Sequence, residues 1–165
     1  MPVDGSPDVI TFPNPTRKMM VGDKERNTID EYELLRIFKL FKVNRAAIER
    51  QWSRKGEGHM GAFTLGVGYA KLLTALAANG IPYDDITAKE WRAVSVNPLY
   101  KEIAKVVGED IVGKLDTKQL SIEAVKILYP GVNLLLSNKC RLPSDGIAEA
   151  ILIGHYLKQN KDKTC

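Results

Sequence analysis

"RAAIER", residues 45–50, is a run of three apolar side chains closed at both ends by charge. It is too short for an ordinary helix and reads as a short buried strand, with Glu49 at its carboxyl end. On either side the spacing changes to that of helices. Upstream, Leu34, Leu35, Ile37, Phe38 and Phe41 fall on one face, and Thr28 with Glu31 forms a capping-box pair to open the helix. Downstream, a helix is expected from Phe63 to Asn79, with Leu72, Leu73, Leu76 and Ala77 as core and Gly80 as its stop. Gly66 and Gly68 in its first turns lower helix stability, which suggests close approach of another backbone or a ligand.

Outward from this centre, "VDGSPDVITFP" (3–13) reads as a turn and a short strand, and "NPTRKMMVGDKERN" (14–27) as a loop. "QWSRKGEGHMG" (51–61) is glycine-rich and flexible in composition. "IPYDDIT" (81–87) is the next expected strand, followed by a short helix capped by Thr87 and Glu90 and carrying Trp91. "NPLYKEIAKVVGEDIVG" (97–113) reads as a helical hairpin or an insertion, and "TKQLSIEAVKILYPG" (117–131) as an amphipathic helix stopped by Pro130 and Gly131. Strands separated by helices imply an α/β domain with a mainly parallel sheet covered on both faces.

The chain has 165 residues, enough for one domain with a full core, so a single domain over 1–165 is expected. A hydrophobic fraction of 44% with 27% charged residues fits a soluble globular protein. No apolar run reads as long enough to span a bilayer and no signal-peptide pattern opens the chain, so a cytoplasmic location without a membrane partner is expected. Cys140 and Cys165 lack metal-ligand spacing, and a disulfide framework is not expected. Net charge is +4, with Lys42, Arg45, Arg50, Arg54 and Lys55 concentrated in one stretch. That stretch is either a solvated face or a phosphate-contacting surface.

The last helix, "SDGIAEAILIG" (144–154), is apolar almost all round, yet Asp145 and Glu149 lie four apart on one face. A buried carboxylate needs a cation, from the protein or from solution. Asp145 also suits a helix-start cap, and Glu49 suits a surface pair with Arg45 or Arg50. If the three acids converge, they would bind a hard divalent cation through oxygen, as in metal-assisted phosphodiester hydrolysis. No Ser-His-Asp pattern, phosphate-binding loop or dinucleotide fingerprint competes, and His59 and His155 fall in separate segments.

Four stretches carry a family resemblance: "AAIERQW", "GAFTLGVGYAKLLTALAANGIPYDDITAKEW", "TKQLSIEAVKILYPG" and "SDGIAEAILIGHY". In this order they resemble the RuvC-type Holliday junction resolvases, especially the small phage versions. The resemblance implies an RNase H-like mixed sheet flanked by helices, and a homodimer that cuts four-way DNA junctions with Mg²⁺ or Mn²⁺ in recombination and repair. Glu49 matches the family's strand carboxylate, and Asp145 and Glu149 match the acidic or histidine positions that open its final helix. Lys118 matches a basic position before the penultimate helix. Trp52 falls where some members place an aromatic that wedges into the junction centre. Read from its neighbours alone, Trp52 among Arg50, Arg54 and Lys55 suits base stacking, and a buried core tryptophan suits it nearly as well.

The family begins with a strand carrying Gly-x-Asp-x-Gly, and "MPVDGSPDVITFP" resembles the turn that leads from that strand into the second. The resemblance therefore implies that the first catalytic strand and its aspartate are missing, with Asp4 a poor substitute. Two functions stay open on this basis: a metal-dependent junction endonuclease, and a catalytically impaired branched-DNA-binding protein that retains the fold.

Overall fold

The computed structural model describes residues 9–21, 23–52, 56, 58–137 and 139–160. The chain is a mixed α/β protein dominated by helices, with small sheets. Its contacts divide it into two compact units, one over Pro13–Asp85 and the other over the described parts of Met1–Phe12 and Ile86–Cys165.

The first unit opens with an antiparallel hairpin of β1 (Thr16–Val21) and β2 (Lys24–Ile29), in register from Thr16 opposite Ile29 to Val21 opposite Lys24. The loop expected over 14–27 is therefore mostly strand. Gly22-Asp23 between two six-residue strands is a two-residue hairpin sequence, which mixed charge and weak alternation concealed. Thr28 lies within β2 rather than capping a helix as expected, and Asp30 caps α1 (Glu31–Leu40) by accepting from the backbone N–H groups of Tyr32 and Glu33. Thr28 Oγ1 instead accepts from Lys71 Nζ at 3.0 Å. That ammonium also donates to the Ile29 carbonyl and to Glu31 Oε2, tying α2 to the end of β2 and the start of α1.

The expected strand at the centre of the sequence is β3 (Ala46–Glu49), and its hydrogen-bonded neighbour is β4 (Tyr83–Ile86). Between them runs α2 (His59–Ala78), one turn longer at its start than the sequence indicates. Gly80 turns the chain out of it with φ +63°, a conformation that glycine adopts without a Cβ clash. Gly66 has nothing within 4 Å of where a Cβ would stand and Gly68 has only an ordinary contact to the Ile29 side chain, so among the described residues no other backbone approaches them closely. Ala75 and Leu76 are buried at the end of α2, whereas Met60 and Phe63 near its start are exposed. By length and composition α2 is sufficient to cross a membrane, contrary to the expectation that no run is.

In the second unit, α3 (Ala88–Ser95) opens on the expected Thr87–Glu90 capping box and is followed by a 3₁₀ turn (Asn97–Leu99), α4 (Tyr100–Val107) and α5 (Glu109–Val112). Then come α6 (Thr117–Leu128), capped by Asp116, and α7 (Asp145–Gln159), capped by Ser144. Helix α7 packs against both α3 and α6, and α4 packs against α6. Trp91, Ile103, Ala124, Val125, Ala148 and Leu152 form the core, each at most 1% exposed. Ser95 is buried among them and satisfies its hydroxyl by donating to the Leu152 carbonyl at 2.9 Å.

The α/β class expected from the sequence stands. The mainly parallel sheet does not: among the described residues the strands form two two-stranded sheets, and β1–β2 is antiparallel. The strand expected within 3–13 is absent from its described part, 9–13, and its remainder lies outside the described residues.

Candidate functional site

Two groups of charged side chains stand where chemistry was expected, one in each unit. The α7 group answers the question raised by its acids. Ser144, not Asp145, caps the helix: its Oγ accepts from the Ile147 N–H at 3.3 Å. Asp145 is left in the first turn, where a negative charge is favoured by the helix dipole. Its Oδ2 lies 2.5 Å from Lys118 Nζ at the start of α6. That hydrogen bond, assisted by the N–H groups of Asp145 and Gly146, holds the carboxyl below its ordinary range against the opposing effect of burial. The Lys118 ammonium is correspondingly pushed up.

One turn further on, Glu149 Oε1 accepts from Arg92 Nη2 of α3 at 3.0 Å. This pair is less exposed than the first, with side chains 29% and 24% exposed. The Arg92 guanidinium also stacks on its neighbour Trp91, 4.8 Å from the ring centre. Its Nε is buried without a hydrogen-bond partner among the described residues. Both acids of α7 thus face cations supplied by the chain itself. Lys118, expected as a phosphate contact, is paired with Asp145 in the free protein, and Arg92 is a participant that the sequence did not single out.

The other group lies at the carboxyl end of β3. Glu49 ends the strand, as expected, half-buried, and its backbone carbonyl accepts from Gln51 Nε2 at 3.1 Å. The basic stretch on either side of the strand is partly neutralised. Arg45 donates to Asp84 at 2.8 Å, and Arg50 Nε to Asp85 Oδ2 at 3.0 Å. Asp84 and Asp85 are adjacent on β4, so their side chains leave opposite faces of the strand and reach different arginines. Asp85 Oδ1 also accepts from Tyr69 Oη of α2 at 2.7 Å, and burial together with this bond raises the phenol to about 12. Neither aspartate was singled out in the sequence, where two acids in an otherwise apolar strand were the available signal.

Trp52 is 69% exposed, which excludes the core reading and leaves the surface one. The Arg50 guanidinium lies 5.9 Å from its ring centre, at the outer reach of a cation–π contact. Arg54 and Lys55, the other expected phosphate contacts, lie outside the described residues, as does Asp4.

Asp145 and Glu149 share one face of one helix, whereas Glu49 belongs to the other unit. Within each unit, among the described residues, no three His, Cys, Asp or Glu side chains come together as a metal cage. The chemistry of Asp145 and Glu149 suits a hard cation, but a metal entering there has to displace Lys118, whose side chain is exposed enough to swing away. His155 serves another purpose: its Nδ1 is paired with Tyr129 Oη at 2.9 Å, and burial lowers its pKa.

No family model matches the sequence, and no curated protein matches it. Among solved structures, T. thermophilus RuvC in complex with Holliday junction substrate superposes on 82% of this chain and 78% of its own. The sequence identity is 11% and the TM-score 0.48, a likeness too slight to bear on activity.

Proposed function

We propose that this protein binds branched DNA, four-way junctions in particular. The observation that supports this reading is the exposed Trp52 beside Arg50 at the carboxyl end of β3. An aromatic ring exposed to solvent next to a guanidinium suits an unstacked base, which a junction offers at its centre and an intact duplex does not. The reading takes 1–165 as one RNase H-like domain acting as a homodimer, in keeping with the sequence resemblance to RuvC-type resolvases. Arg54 and Lys55, next to Trp52 in sequence, are further phosphate contacts in this reading, and Lys118 turns from Asp145 to phosphate when DNA arrives.

The fuller form of the proposal is a junction-resolving endonuclease in which Glu49, Asp145 and Glu149 hold Mg²⁺ or Mn²⁺. The metal would activate water and stabilise the leaving oxygen of the phosphodiester. The chain's own contribution is to orient the carboxylates, which Lys118 and Arg92 do for two of them. The same two ion pairs favour a second reading, a branched-DNA-binding protein that cuts slowly or not at all, because each acid already has its counter-charge.

The test is binding to a synthetic four-way junction and to a linear duplex of the same sequence, in chelator, over a range of salt. Preference for the junction at every salt concentration is expected. Arg50→Glu should weaken junction binding and lower the salt slope by about one, as for a lost phosphate contact. Equal affinity for the two DNAs throughout would overturn the proposal.

A further inference from the structure

Asp85 makes more contacts with the stacking surface than a surface aspartate needs. Its Oδ2 accepts from Arg50 Nε at 3.0 Å, and its backbone carbonyl accepts from Arg50 Nη2 at 3.2 Å. The guanidinium is therefore held along one edge at two points, which fixes its plane as well as its place. Behind it, Tyr69 Oη donates to Asp85 Oδ1 at 2.7 Å from the middle of α2, so the carboxylate is itself braced by a helix. The raised Tyr69 phenol stays a hydrogen-bond donor throughout the neutral range. The chain Tyr69–Asp85–Arg50 ends beside an indole that is 69% exposed.

We infer that Asp85, braced by Tyr69, is a positioning residue that holds Arg50 over the Trp52 ring and so presets the indole as a platform for an unstacked nucleobase. The inference rests on the branched-DNA reading and adds to it the groups that organise the contact. An unrestrained arginine samples many rotamers and loses that freedom on binding, whereas one held in place beforehand does not. Asp85 also sets a negative charge against the Arg50 guanidinium, so its removal changes both the orientation of Arg50 and the net charge of the surface. The two effects have opposite signatures. Loss of positioning weakens binding to exposed bases, whereas loss of a negative charge strengthens binding to any duplex.

The test uses the full chain and its variants Trp52→Ala, Asp85→Ala, Asp85→Asn, Tyr69→Phe and the Trp52→Ala/Asp85→Ala double. Each is titrated in chelator with a four-way junction and with a linear duplex. Trp52→Ala and Asp85→Ala are each expected to weaken junction binding by about tenfold, the scale of stacking one base on an aromatic ring. Linear-duplex binding should hold or improve for Asp85→Ala. The double variant should bind the junction no worse than the weaker single, because both changes remove one platform. Asp85→Asn keeps an acceptor oxygen and should recover part of the loss, and Tyr69→Phe should lose less than Asp85→Ala. In the free protein, fluorescence anisotropy at the exposed Trp52 should fall in Asp85→Ala, while the fully buried Trp91 supplies a constant background.

Fully additive losses, equal losses on junction and duplex, or unchanged junction binding in Asp85→Ala would overturn the inference. Tyr69→Phe and Asp85→Asn decide the same question if Asp85→Ala does not fold. A wild-type chain without junction preference would instead overturn the branched-DNA reading and the platform with it. That failure is recognised in the wild type, before any variant is compared.

Discussion

Lys118 Nζ, on the exposed first turn of α6, lies 2.5 Å from Asp145 Oδ2 at the start of α7. The second acid of α7 is met by Arg92 from α3 at 3.0 Å, so one helix takes a cation from each of its two neighbours. The two pairs differ in their surroundings. Lys118 is 62% exposed and can leave Asp145 at little cost, whereas Arg92 is packed on Trp91 and has a buried Nε. The first contact is replaceable by another cation, and the second is part of the fold.

Replacing Lys118 by Met should therefore leave the melting temperature almost unchanged at neutral pH. The Asp145 titration, followed by carboxyl-carbon NMR, should move up toward the ordinary aspartate value, since Lys118 is the largest cause of its depression. If Asp145 is a metal ligand, Mn²⁺ should bind this variant more tightly than the wild type, because the competing ammonium is gone. Looser binding would mean that Lys118 assists the metal instead.

Arg92→Met should destabilise the protein by about 1–3 kcal/mol, as a part-buried charged acceptor, Glu149, loses its partner. Adding Glu149→Leu should return part of that loss, because an ion pair replaced on both sides leaves no uncompensated charge. Urea denaturation of the wild type, the two single variants and the double variant measures the coupling. Strictly additive losses would mean that the pair contributes only through packing.

Local signals carried well wherever the chemistry of a few adjacent residues decides structure. The Thr87–Glu90 capping box, the stop at Gly80 and the buried run ending at Glu49 are all as the sequence indicates. The hairpin over Thr16–Ile29 was obscured because its strands are charged and largely exposed, so they lack the apolar alternation that marks a half-buried strand. Asp145 and Glu149 were identifiable as acids in need of a cation, but not their partners. Lys118 and Arg92 lie 27 and 57 positions away in sequence, and no local pattern encodes such a meeting. Trp52 and Trp91 differ for a similar reason: one is exposed and the other fully buried, and only packing separates them.

Glu31 gives the fold a specific acid sensitivity. Arg17 and Lys71 both pair with it, and the Arg17 hydrogen bond is the main reason its carboxyl falls from the ordinary 4.5 to about 2. A depressed carboxylate stabilises the native state fully above its unfolded value and loses that contribution as the pH falls through the folded one. Stability should decline between about pH 4.5 and 2 for this reason. Glu31→Gln should be less stable than the wild type at pH 7 and converge with it toward pH 2. Thermal melts of both proteins across that range measure it, and a constant gap at every pH would assign the loss to packing.

Binding and cleavage should separate at Glu149. Changing it to Gln preserves length and one acceptor oxygen but removes the charge, leaving Arg92 without its counter-ion. If Glu149 holds a catalytic metal, the variant should lose Mg²⁺-dependent nicking of a four-way junction, because a hard cation prefers charged oxygen. Junction binding in chelator should persist, and it should rise slightly because one negative charge near phosphate has gone. Arg92→Met removes the positive partner instead, so it shares the loss of the ion pair but keeps the carboxylate. Comparing the two variants therefore separates the metal from the fold: nicking lost in Glu149→Gln and retained in Arg92→Met identifies a ligand. Nicking lost equally in both would mean that the pair acts by holding α3 against α7. A wild-type chain that binds the junction in chelator and leaves it uncut in Mg²⁺ would fit acids of α7 that are already compensated by Lys118 and Arg92.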